Sequence, residues 1–107
     1  MDTDDLLLTI AETAGHARHI RVVGDLDVET STQLAEAIKQ LVDTGIALVV
    51  LDLVGVNFAD SSGLRVIVHA GNQLEDGGGS LIIEGMSPAV ERLLQLTGVI
   101  DRYRREQ

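Results

Sequence analysis

No cysteine occurs among the 107 residues, which excludes disulfides, thiolate zinc sites and thiol redox switching. Aromatics make up 2% of the chain, as Phe58 and Tyr103 only, too few for a platform that stacks single-stranded nucleic acid. Positive charge is scarce as well. Eight Lys and Arg stand against seventeen Asp and Glu, a net charge of −9 at pH 7. Nucleic-acid affinity comes from basic groups that neutralise phosphates, so this balance argues against it. Long apolar runs are missing: stretches such as Ala47 to Leu51 fall far below the roughly 18 residues that span a bilayer. The opening Met1-Asp2-Thr3-Asp4-Asp5 is acidic where a secretory signal begins basic. A soluble, cytoplasmic protein with no membrane contact is expected.

What is present is core-forming material. Hydrophobic residues reach 45% with one proline, the composition of a packed chain rather than a disordered one. The length suits a single domain over 1–107, with its core in 6–100 and a polar tail at 101–107. Leu6 to Ile10 and Ile20 to Val23 read as strands joined by a turn around Gly15. Leu34, Ile38, Leu41 and Val42 recur with helical period until Gly45, and Thr30, Ser31 or Thr32 is the expected cap. Ala47 to Leu53 is apolar without alternation, as in a central strand covered on both faces. Val54 to Asp60 reads as a loop. Leu64, Ile67, Val68, Gly71 and Leu74 mark a second helix, which Gly77-Gly78-Gly79 ends. Ser80 to Glu84 forms another strand, and Ser87-Pro88 opens a third helix with a favoured N-cap and first-turn proline. Val90, Leu93, Leu94 and Thr97 would line its inner face. Val99 and Ile100 suggest a short edge strand. The order ββαβαβα predicts an α/β fold, a mixed sheet of four to five strands packed with about three helices.

One segment carries chemistry. Asn57-Phe58-Ala59-Asp60-Ser61-Ser62-Gly63-Leu64 follows a strand and starts a helix, where unpaired amides and the positive end of the macrodipole gather. Capping explains one of Asp60, Ser61 and Ser62, and Gly63 allows close packing. Three consecutive residues able to cap exceed that need. The glycines of a Gly-x-Ser-x-Gly elbow are absent around both serines. No histidine is placed as a base: His69 lies eight residues beyond Ser61, and His16 and His19 have an odd spacing on a strand. The same spacings disfavour a metal pair, and neither metal nor cofactor is expected. The triple glycine is no phosphate loop, since the only lysine is Lys39. Upstream, Gly24-Asp25-Leu26-Asp27 would bring Asp25 or Asp27 beside the serines if both segments feed helices at one sheet edge. Tyr103-Arg104-Arg105 reads as a solvated end.

These pieces together, with Val49 to Leu53 and Met86-Ser87-Pro88-Ala89-Val90, resemble the STAS family, and more narrowly its bacterial anti-sigma factor antagonists. The resemblance runs from about Leu6 to Ile100. It implies a protein that, unphosphorylated, binds an anti-sigma factor and so frees a sigma factor. It implies that the anti-sigma factor is also a serine kinase of the GHKL type, that Ser61 is its phosphoacceptor, and that a PP2C-type phosphatase reverses the mark. Asp27, Asp60, Ser62 and Gly63 would then meet the partner. The residues alone leave Ser61 and Ser62 equivalent, and they leave self-association open. Two departures stand out: the chain ends soon after Tyr103, where relatives often continue into a helix, and Arg65 replaces a small residue one turn from Ser61. The alternatives are a STAS subunit of another assembly (a stressosome-like scaffold or a lipid-transport complex), a small serine hydrolase, and a structural domain with surplus caps.

Overall fold

Aliphatic runs punctuated by glycines become the strands of this computed structural model, which describes residues 6–103 apart from 14 and 16. Leu7–Glu12 (β1) and Ala17–Leu26 (β2) pair antiparallel, with Leu8 opposite Val22 and Ile10 opposite Ile20. Ser31–Asp43 forms α1, Leu48–Ala59 β3, Ser61–Asp76 α2 and Ser80–Met86 β4. Pro88–Thr97 forms α3 and Ile100–Tyr103 a single turn, α4. The sheet order is β1-β2-β3-β4, and β3 runs parallel to both neighbours. The expected mixed α/β sheet is therefore present, with four strands.

Alternate strand residues build the core. Ile20 and Val22, then Val49, Leu51 and Leu53, then Leu81 and Ile83 are buried from one side of the sheet. Leu34 and Ile38 of α1, Ile67 and Leu74 of α2, and Val90 and Leu94 of α3 join the same cluster. Burying each such side chain is worth about 1.5–3 kcal/mol. The expected central strand covered on both faces is found in the inner half of β3, but helices supply only one of the two covers. Val50, which points the other way, is buried but outside that cluster. Register aligns it with His19 and Ile82. His19 Nε2 reaches across it to within 2.7 Å of Glu84 Oε1, and beside it Arg21 meets Asp52 at 3.5 Å. Polar side chains roof this face in place of a helix.

Four further expectations change. Val54 to Ala59 is not a loop but the outer half of β3, which stays paired with β2 by taking up two extra residues. One lies between the pairs Arg21–Asp52 and Val23–Gly55, the other between Gly24–Val56 and Asp25–Phe58. These are β-bulges, which bend a strand and re-aim its side chains. Second, Val99 and Ile100 form no edge strand. Gly98 adopts a left-handed conformation (φ 78°), the Val99 amide donates to the Leu94 carbonyl, and the chain turns back into α4. Third, the polar tail gives up Tyr103 to the core. Its ring lies against Gly71 of α2, where a Cβ would approach within 2.7 Å of it. Fourth, Thr97 is exposed rather than inward, its hydroxyl bonded to the Leu93 carbonyl. Met1 to Asp5, His16, Arg104 and Arg105 lie outside the described residues. No helix among the described residues is long and apolar enough to cross a membrane.

Candidate functional site

The carboxyl ends of β2 and β3 deliver two loops side by side. Leu26 pairs with Ala59, and the Asp60 amide donates to the Leu26 carbonyl at 3.2 Å. Continuing that register sets Asp27 opposite Asp60. The upstream acidic turn and the serine segment thus meet at one end of the sheet, where ligands and partners of open α/β sheets engage.

Each loop is held by an aspartate. Thr30, Ser31 and Thr32 do not cap α1 through their side chains: no such bond forms at Thr30, and Asp27 takes the task from three residues upstream. Its Oδ1 accepts from the amides of Thr30 at 2.9 Å and Glu29 at 3.0 Å. The buried Thr30 hydroxyl accepts from the Asp27 amide and donates to the Asp25 carbonyl, closing the turn. The Thr30 amide first, then the Thr30 hydroxyl and the Glu29 amide, hold the Asp27 carboxyl below its ordinary value against an opposing desolvation cost. Sequence reasoning offered Thr30 as a cap and missed that its hydroxyl ties Asp25 to Asp27, since a threonine gives no such signal until both aspartates fold around it.

At α2 the extended Asp60 is the N-cap, and its Oδ1 accepts from the Ser62 amide at 2.8 Å. One residue of the three able to cap therefore does so. Ser61 is exposed, Ser62 half-buried, and neither hydroxyl has a hydrogen bond among the described residues. Gly63 is buried, and a Cβ there would stand 2.9 Å from Leu26 Cβ. Its place is to let α2 approach β2, which presses the helix start against the strand end and turns Ser61 outward.

From Ser61 an open groove of about 470 Å³ runs along the outer face of α2, lined by Leu64, Arg65, Val68, His69 and Asn72 as well. Among the described residues no group of three or more His, Asp or Glu is placed to hold a metal ion. His69 sits eight residues along the helix from Ser61, about 12 Å by helical rise, too far to take its proton. His19 is engaged with Glu84 on the sheet's other face. The Ser61 hydroxyl thus stands exposed at a helix start next to the Asp60 carboxylate, accessible to a second protein.

Comparison with known proteins gives the same direction. A profile of the STAS domain matches residues 9–104. The anti-sigma-B factor antagonist of Listeria monocytogenes is 36% identical over 83 residues, covering 77% of this chain and 72% of that protein. An anti-sigma factor antagonist from Mycobacterium paratuberculosis superposes with a TM-score of 0.83 at 24% identity, over 99% of this chain and 90% of that one. The Bacillus cell fate determinant SpoIIAA in its phosphorylated form superposes with a TM-score of 0.76 at 20% identity, over 94% and 91%. At these last two identities the likeness is one of fold.

Proposed function

Because the chain belongs to the STAS domain family, we propose that it is an anti-sigma factor antagonist whose docking is switched by phosphate on Ser61. The observation that carries this reading is the division of labour at the start of α2: Asp60 caps the helix, which leaves the Ser61 hydroxyl outward and unengaged. Unphosphorylated, the face built by Asp27, Asp60, Ser61 and Ser62 binds an anti-sigma factor in the cytoplasm and a sigma factor is released. That partner is a serine kinase of the GHKL type. The Ser61 oxygen attacks the terminal phosphorus of ATP, the bond to the ADP oxygen breaks, and the hydroxyl proton leaves to a base of the kinase. A PP2C-type phosphatase hydrolyses the ester. The chain is then substrate and binding module, not enzyme.

Phosphorylation adds about −1.5 to −2 charges and three strong acceptor oxygens. The free amides of a helix start accommodate such a group without refolding. SpoIIAA, solved in a phosphorylated form, keeps this architecture, which supports a mark read at the surface. A partner shaped for a neutral hydroxyl meets a dianion beside two carboxylates, and burying that charge unpaired costs several kcal/mol. With ~1.4 kcal/mol per tenfold, affinity falls by hundreds-fold.

The test compares masses of wild type, Ser61→Ala and Ser62→Ala after incubation with candidate anti-sigma kinases and ATP. One phosphate, absent only from Ser61→Ala, is the expected result. A phosphate that persists in Ser61→Ala and vanishes in Ser62→Ala moves the acceptor to Ser62 and ends this assignment.

A further inference from the structure

Ser61, Arg65 and His69 stand four residues apart and line one groove on the outer face of α2. Arg65 is the fifth residue of α2, one turn beyond Ser61. Arg18, Arg21 and Arg102 each meet a carboxylate, of Glu12, Asp52 and Glu75 respectively, whereas Arg92 on α3 meets none among the described residues. Arg65 is exposed and has no hydrogen bond or ion pair among the described residues. Its guanidinium is thus left open to a group that arrives beside it.

Helix geometry bears on which group that is. Side chains lean toward the N-terminus of their helix, so a long residue covers the turn that precedes it. Residues four apart have Cβ atoms about 5–6 Å from each other. The Arg65 guanidinium therefore sweeps the space that a group attached to Ser61 Oγ occupies. Its planar fork matches two phosphate oxygens at once. The geometry points to Arg65 as an intramolecular clamp for a phosphate on Ser61. This rests on the reading of Ser61 as the acceptor given above, and it extends it. Unmodified, the groove offers a free cation to an approaching protein. Modified, that cation turns inward onto the ester. One mark thus changes the docking face twice, by adding a dianion and by withdrawing the positive charge next to it.

The test installs phosphoserine at position 61 during translation of the full chain, by suppression of a stop codon, so that no kinase is needed. Phosphorus NMR then follows the second ionisation of the phosphate in the wild-type background, in Arg65→Ala and in Arg65→Lys. Asp60 at the cap, Asp27 across the loop and His69 two turns away face the same region in all three, so the comparison isolates Arg65. The phosphate should titrate roughly 0.3–0.7 pH unit lower with arginine than with alanine, with lysine between them. Arg65 is exposed, so neither replacement disturbs the core. Coincident titrations of wild type and Arg65→Ala would overturn the clamp while leaving Ser61 as acceptor untouched. A kinase that ignores Ser61 would overturn the acceptor reading and leave the measured pairing in place.

Discussion

At the scale of single residues, two side chains at the start of α1 exchange the roles their types suggest. Serine is a favoured cap, yet Ser31 is buried with its hydroxyl unpaired among the described residues, and Asp27 holds the turn instead. Replacing Ser31 by Ala removes an unsatisfied polar group, so stability in urea should hold or rise. Asp27→Ala should lower it, with a specific pH dependence. The folded carboxyl ionises below its ordinary value of 3.8, so its contribution is complete above that value and fades as pH falls through the folded one. Wild type should therefore outlast Asp27→Ala in urea at pH 7, and the gap should narrow as the pH falls below 3.8. A gap that widens on acidification contradicts the role given to this carboxylate. The serine segment was legible from the chain because three candidate caps in a row are too many for one helix. Which of them would be spared was not, since Asp60 wins by its extended backbone, a property of the fold around it.

At the scale of elements, the triple glycine shows what a turn signal conceals. Gly78 takes a left-handed conformation (φ 85°) with open space where a Cβ would go. Gly79 has no such backbone constraint, yet a Cβ there would lie 2.0 Å from the Ala47 carbonyl oxygen, where β4 begins to pair with β3. Gly78→Ala should cost about 1–2 kcal/mol from its backbone alone. Gly79→Ala should cost more, because main chain has to move. Denaturant midpoints of the two variants check the order. The small α4 gives the matching test for packing. Tyr103 is buried on Gly71 with its hydroxyl unpaired among the described residues. Tyr103→Phe should be neutral or stabilising, whereas Tyr103→Ala should cost about 3 kcal/mol or more. The periodicity of α1, α2 and α3 and the apolar run of β3 were readable because local pattern and final packing agree there. The outer half of β3 and the turn of α4 were not, since each depends on a distant partner: β2 for one, Gly71 for the other.

At the scale of the whole molecule, the net charge of −9 acts before any contact forms. Association with a basic patch on the anti-sigma factor should be fast and should slow as salt rises, with dissociation changed far less. Stopped-flow mixing at low and high sodium chloride measures both rates, and a salt-independent association would dismiss steering. Ser61→Asp should weaken that complex and leave the thermal midpoint where it was, since the exposed hydroxyl supports nothing in the fold. The two bulges of β3 carry a different consequence. Together they restore the inward phase of the strand, so that Val56 and Ala59 face the core while Val54, Asn57 and Phe58 are exposed. Substitutions at Val54 and Asn57 should then be accepted, and deleting Asn57 should leave soluble expression and the denaturant midpoint close to wild type, since Val56, Phe58 and Ala59 then alternate in step with Gly24, Asp25 and Leu26. Each extra residue is a detour on the outer face, and the interior keeps its own count.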